Sequence, residues 1–195
     1  MSDDKRYTYT DYASWDDDKR WELIDGVPYA MSAPTLDHQR VSGELFFQIK
    51  SFLRGRPCEV FASPLDVRLN ADSADDTVVQ PDIVLICDST KIGDGKSCQG
   101  APDLVIEILS PSTARFDRLL KLNRYRDAGV REYWIVDPDT KLVETYIFDK
   151  NENGSGRYSD EDDLPVHVLP GLTIKLSDVF ADVQSVLDGY DNAER

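Results

Sequence analysis

Basic residues are scarce in this 195-residue chain: 22 Lys and Arg stand against 37 Asp and Glu, a formal net charge of −15. Polyanions are held through Lys and Arg, so a nucleic-acid partner would need a local basic face, because the bulk charge opposes it. Histidine occurs only as His38 and His167, which disfavours histidine-centred chemistry. No apolar run approaches the roughly 20 residues of a membrane-spanning helix. The start, Met1-Ser2-Asp3-Asp4-Lys5, has no basic segment leading into an apolar one, so no signal peptide is expected. Cys58, Cys87 and Cys98 are odd in number and lack Cys-x-x-Cys spacing. Free thiols in a reducing cytoplasm are the expectation. No Walker loop or dinucleotide fingerprint is present, since the Gly93-x-Gly95-Lys96 segment has the wrong spacing. Ser110 and Ser112 lack the Gly-x-Ser-x-Gly setting of a hydrolase nucleophile and read as turn and cap residues.

What is present suits one domain with a real core: 41% hydrophobic and 10% aromatic residues. The expected division is an N-terminal arm over 1–18, a domain over 19–187 and an acidic tail over 188–195. The arm reads as loosely held or as a short helix. Residues 21–31 read as a hairpin turning at Asp25-Gly26, a dipeptide that readily takes positive φ. Thr35 is placed to cap a helix carrying Val41, Leu45, Ile49 and Phe52 at helical spacing, with Gly55 placed to end it. Strands are predicted over 59–69 and 78–87, and a loop over 88–100. Residues 103–109 are almost continuously apolar, the pattern of a central strand buried on both faces. A helix is predicted from Ser110 to about Ala128, strands over 132–136 and 142–148, a flexible stretch over 151–156, then short strands and a closing helix around 176–186. The class is mixed α/β rather than a regular βαβ repeat.

Two carboxylates stand out. Glu107 is the one interior charge of the apolar central strand, an expensive position unless the group is paired or metal-bound. Asp82 lies in the preceding strand, behind Pro81. An arginine-paired acid would explain Glu107 alone, and a bulge would explain Asp82 alone. Together they resemble the hard oxygen set that holds Mg²⁺ in metal-assisted phosphodiester hydrolysis. Lys121 follows in the next helix, sharing a face with Asp117 and Tyr125 at i, i+4 spacing. A simple ion pair between Asp117 and Lys121 is the plainer alternative. His38 reads as a helix-start residue that bonds locally.

Pro81-Asp82, then Glu107-Ile108-Leu109-Ser110-Pro111-Ser112-Thr113, then Asp117, Lys121, Tyr125, Gly129 and Glu132-Tyr133-Trp134, form an ordered set that resembles the Uma-type family of restriction endonucleases, in the PD-(D/E)XK superfamily. The resemblance extends to Glu22-Leu23-Ile24-Asp25-Gly26, His38 and Leu169-Pro170-Gly171-Leu172, and covers roughly residues 20–180. It implies a restriction-endonuclease-like fold, a central mixed β-sheet flanked by helices. It also implies Asp82 and Glu107 as ligands of Mg²⁺ or Mn²⁺, joined by the backbone carbonyl of Ile108. Leu109 occupies the position of the superfamily's lysine, and Lys121 is the substitute. Glu22 is a candidate third acid, or else a residue that stabilises the hairpin.

From Ser110 to Arg131 the chain carries Arg115, Arg118, Lys121, Arg124, Arg126 and Arg131 against Asp117 and Asp127. This basic stretch reads either as a salt-bridged helix face or as the surface that meets DNA, with Arg115, Arg118 and Arg124 on the phosphates. A homodimer would supply two sites for two strands. The rival reading keeps the fold without catalysis, as an interaction or regulatory module, and is favoured by the net charge and by Leu109.

Overall fold

The computed structural model has a five-stranded and a six-stranded sheet, and the chain passes from one to the other at a junction that holds Asp82. The structure describes residues 5–93, 95–110, 120–149 and 152–184. The first strands, β1 (Trp21–Ile24) and β2 (Val27–Ala30), form the expected hairpin, with Asp25 at φ 51° and Gly26 at φ 75°. A short helix, α1 (Tyr9–Tyr12), precedes them, and Tyr7 N donates to Gly26 O at 2.9 Å. Helix α2 (Leu36–Phe52) starts at Thr35, whose side chain accepts from His38 N, as the sequence predicts. Its Val41, Leu45 and Ile49 are buried.

The predicted strand over 59–69 is two strands, β3 (Glu59–Ala62) and β4 (Asp66–Arg68), in different sheets. The predicted strand over 78–87 divides likewise into β5 (Val78–Val79) and β6 (Ile83–Ile86). Proline explains both breaks. Ser63-Pro64 and Gln80-Pro81 interrupt the runs, and proline has no N–H for the ladder. The two crossings are tied together, since Ser63 N donates to Asp82 O at 2.9 Å. The predicted loop over 88–100 holds a 3₁₀ turn (Ser89–Ile92) and β7 (Ser97–Gln99), which pairs parallel with β4.

The larger sheet has the order β11-β10-β9-β8-β6-β3, where β8 is Leu104–Ile108, β9 Glu132–Asp137, β10 Leu142–Asp149 and β11 Glu152–Ser159. Its β8–β9 pair is parallel and its other pairs are antiparallel. The smaller sheet has the order β2-β1-β5-β4-β7. Of the stretch over 151–156 expected to be flexible, the described residues 152–156 belong to β11. Gly156 serves close packing there, because a Cβ would lie 2.7 Å from the Tyr158 ring and 2.9 Å from Thr145 Oγ1. Helix α3 (Leu122–Ala128) ends at Gly129, φ 94°. A small hairpin, β12 (Asp163–Pro165) with β13 (Thr173–Lys175), and helix α4 (Leu176–Val179) follow.

The central strand β8 is buried on both faces, as its composition predicts. Leu104, Ile106 and Ile108 join the core shared with α2, while Val105 and Leu109 join the core shared with α3. Alternation therefore points Glu107 toward the α3 side.

The cysteine expectation is corrected. Cys58 and Cys87 form a disulfide with Cα atoms 4.0 Å apart, and among the three only Cys98 is a free thiol. The cause is register: Glu59 pairs with Ile86, so the next opposed positions along β3 and β6 are Cys58 and Cys87. The free-thiol ground for a reducing compartment falls with it. Burial pushes the Cys98 thiol up to about 11. No helix among the described residues is long and apolar enough to cross a membrane.

Candidate active site

Asp82 and Glu107 are set opposite each other by strand pairing. The β6–β8 ladder matches Ile83 with Ile106, and one further step puts Asp82 across from Glu107. Asp82 has just left the smaller sheet, so it stands at the mouth of the junction with its side chain 18% exposed. Its Oδ2 accepts two hydrogen bonds, from Ile108 N at 2.7 Å and from His38 Nε2 at 3.1 Å. With a carboxylate as partner, Nε2 is the donating nitrogen of His38. Both bonds fall on Oδ2, and Oδ1 has no partner among the described residues.

Glu107 lies deeper. Its Oε1 accepts from Lys121 Nζ at 2.9 Å and from the Tyr125 hydroxyl at 2.6 Å. Lys121 Nζ also reaches Glu22 Oε1 at 2.8 Å, and that oxygen accepts from Gln80 N at 2.9 Å. Glu22, Glu107 and Lys121 are each about 5% exposed or less. A buried charge survives only when paired and hydrogen-bonded, and each oxygen named here has two donors. Burial first, then the charge of Glu107, pushes the Tyr125 hydroxyl well above the ordinary tyrosine range. Tyr125 therefore acts as a fixed hydrogen-bond donor. It packs against Tyr133 with ring centroids 4.9 Å apart.

A cleft of about 300 Å³ opens over this arrangement, and Glu22, His38, Asp82, Glu107, Ile108 and Lys121 all line it. Of the residues predicted from sequence, Asp82, Glu107, Lys121, Glu22 and Ile108 are thus brought together. Ile108 meets Asp82 through its N–H; its carbonyl has no described contact with the carboxylates. Leu109 is buried in the α3-side core, so the superfamily's lysine position carries a packing residue here. The Lys121–Tyr125 spacing delivers both side chains to Glu107, whereas Asp117, Arg115 and Arg118 lie outside the described residues. Arg124 does not line the cleft; it pairs with Asp25 at the hairpin turn.

The sequence reading of His38 is corrected. Only its backbone N–H bonds locally, to Thr35; the ring turns inward onto Asp82. The helix was legible, but which residue its first turn would face was not. Gln80, which holds Glu22 through its backbone, was also missed. Its one signal was its place directly before Pro81-Asp82.

A mixed sheet, flanked by helices, with one acid on the central strand, another directly before the adjacent strand β6 and a lysine at the start of the following helix, defines a restriction-endonuclease-like α/β fold. The fold matches that of a crystal structure described as a putative nuclease belonging to DUF820 from Anabaena variabilis, at TM-score 0.73 and 20% identity over 90% of this chain and 98% of that one. The chain belongs to the Uma2 family, described as "Putative restriction endonuclease", whose model matches residues 9–177. It is similar to two uncharacterized Synechocystis proteins. One is 31% identical over 148 residues, 74% of each chain. The other is 28% identical over 127 residues, 64% of this chain and 70% of its own.

Proposed function

We propose that this protein is a metal-dependent endonuclease that hydrolyses phosphodiester bonds in DNA. The observation that carries the reading is the convergence of Asp82, Glu107 and Lys121 on one cleft. Asp82, Glu107 and the carbonyl of Ile108 would hold Mg²⁺ or Mn²⁺. Among the described residues no three His, Cys, Asp or Glu side chains cluster as a metal cage. An oxygen-only pair with the unpartnered Asp82 Oδ1 still fits Mg²⁺, which commonly takes one or two carboxylates and keeps several waters. When bound, the ion would polarise the phosphoryl group and make water a better nucleophile.

The protein's own contribution is positioning and charge. Lys121 places an ammonium beside the acids, where it orients the attacking water and offsets charge growing on the phosphate. Glu22 holds that ammonium from the opposite side, and Tyr125 fixes the Glu107 oxygen. His38 and Ile108 N fix Asp82. The basic stretch that carries Arg115, Arg118 and Arg124 is the proposed source of further phosphate contacts, for which Arg124 would have to leave Asp25, and a homodimer would supply the second strand's site.

The test is cleavage of supercoiled, linear and single-stranded DNA with Mg²⁺ or Mn²⁺ by the wild type, Asp82→Ala and Lys121→Ala. Cutting by the wild type that both variants lose supports the reading. A wild type that cuts no DNA form, or an Asp82→Ala variant that cuts equally well, overturns it. If calorimetry also finds no Mn²⁺ binding, the non-catalytic interaction module takes its place.

A further inference from the structure

We propose that Arg20 is the phosphate-binding cation of this cleft. The anion is taken to be a nucleic-acid phosphate because the nuclease reading is adopted; the anion site itself rests on Arg20 and its surroundings.

Arg20 stands directly before β1, and its carbonyl accepts Met31 N at 2.9 Å, which extends the hairpin ladder by one step. Residues two apart on a strand share a face. Arg20 and Glu22 accordingly both line the cleft. The guanidinium is held by neutral groups. Nε and Nη2 donate to Gln80 Oε1 at 3.0 and 2.8 Å, and Nη2 donates to Ser63 Oγ at 2.6 Å. The Gln80 amide is itself oriented, because its Nε2 donates to Asp66 Oδ1 at 2.9 Å and to the Tyr12 hydroxyl at 3.0 Å. Asp66 can only accept, so the amide oxygen must face Arg20.

Arg6, Arg54 and Arg56 share with Arg20 the absence of a carboxylate partner among the described residues, but of these four arginines only Arg20 lines the cleft, and the arginines that do have such partners lie elsewhere. Arg40 is paired with Asp37, Arg68 with Asp75, Arg124 with Asp25, and Arg131 with both Asp103 and Asp149. Arg20 has no carboxylate partner among the described residues, and Nη1 has no protein partner there. The geometry of the guanidinium is fixed while its charge is left uncancelled. The cleft needs such a charge, since its lining carries Glu22, Asp82 and Glu107 and its other cation, Lys121, already faces two of them. An anion entering the cleft would be repelled by Asp82 without a second cation. A planar guanidinium with free N–H groups suits phosphate oxygens, and holding it beforehand lowers the entropy lost on binding.

The probe is thymidine 5′-phosphate, titrated calorimetrically into the full chain without divalent ions, with thymidine as the uncharged control. Expected is binding of the phosphate but not of thymidine, weakening with salt, at least tenfold weaker in Arg20→Gln and intermediate in Arg20→Lys. Circular dichroism checks that each variant is folded. Equal binding by wild type and Arg20→Gln, or no preference for the phosphate over thymidine, overturns the assignment. If the wild type binds the phosphate through Arg20 yet cuts no DNA, the nuclease reading fails and the anion site stands. If it cuts DNA and Arg20→Gln leaves KM unchanged, the nuclease reading stands and Arg20 is not its phosphate ligand.

Discussion

Glu22 and Glu107 come from different sheets and share one ammonium, with Lys121 Nζ 2.8 Å from the first and 2.9 Å from the second. That link joins the hairpin, the central strand and the start of α3. Buried ion groups of this kind are fragile to the loss of one member, because the partners stay buried without compensation.

Lys121→Met therefore destabilises the protein by about 3 kcal/mol or more, measured by urea unfolding at pH 7. A loss under about 1 kcal/mol, typical of an exposed pair, would contradict the buried bridge.

Tyr125→Phe separates hydroxyl from ring. In the folded chain the hydroxyl ionises only well above its ordinary value, whereas the unfolded chain releases that proton near pH 10. The native state therefore holds more protons above pH 10, and stability falls as pH rises there. The urea midpoint of the wild type should drop more steeply than that of Tyr125→Phe between pH 9.5 and about 11. Parallel curves would contradict a buried, protonated Tyr125.

Glu132 is the buried first residue of β9, accepting from Trp134 Nε1 at 2.7 Å and from Val168 N at 2.9 Å. Burial is the largest influence on it and raises its carboxyl above the ordinary value of 4.5. The folded state thus binds a proton that the unfolded state has released, and this group's contribution falls as pH rises from 4.5 through the folded value. Glu132→Gln, whose amide cannot accept both bonds, is less stable than the wild type, and the gap narrows with rising pH across that window. A gap that widens would show the reverse shift.

His38→Ala removes one of the two donors on Asp82 Oδ2. Groups that orient a metal ligand commonly matter by roughly 10–100-fold in metal affinity or activity. The expected result is weaker Mn²⁺ binding by calorimetry in that range, with Asn at the same position restoring part of it. Affinity equal to the wild type would reduce His38 to a packing residue.

The Cys58–Cys87 bond closes a loop across a sequence separation of 29. On the chain-entropy estimate, closure of that size contributes about 3–4 kcal/mol. Dithiothreitol should lower the unfolding free energy of the wild type by about that amount and leave Cys58→Ala/Cys87→Ala unchanged. Equal sensitivity of the two proteins would contradict the bond.

Local patterns fixed much of this molecule. The Asp25-Gly26 turn, the Thr35 cap, the helical spacing of Val41, Leu45 and Ile49, and the doubly buried run around Glu107 depend on neighbours along the chain. They were readable as turn chemistry and periodicity. The acids Asp82 and Glu107 were legible because a charge next to proline, or inside an apolar strand, is costly without a purpose. Lys121 and Tyr125 were legible because α3 keeps the spacing that puts them on one face.

Pairing between distant segments was not written in that local code. Register alone made Cys58 and Cys87 opposed positions, and register alone set Asp82 across from Glu107. The breaks at Pro64 and Pro81 sent single apolar runs into two sheets, which brought β1 alongside β5 and so placed Arg20, Glu22 and Gln80 over the central strand. His38 needed the packing of α2 on the larger sheet before its ring could meet Asp82. Sequence chose the chemical groups and their local frames. Tertiary structure decided which of them share a cleft, because that depends on long-range strand pairing and on which buried charges find donors there.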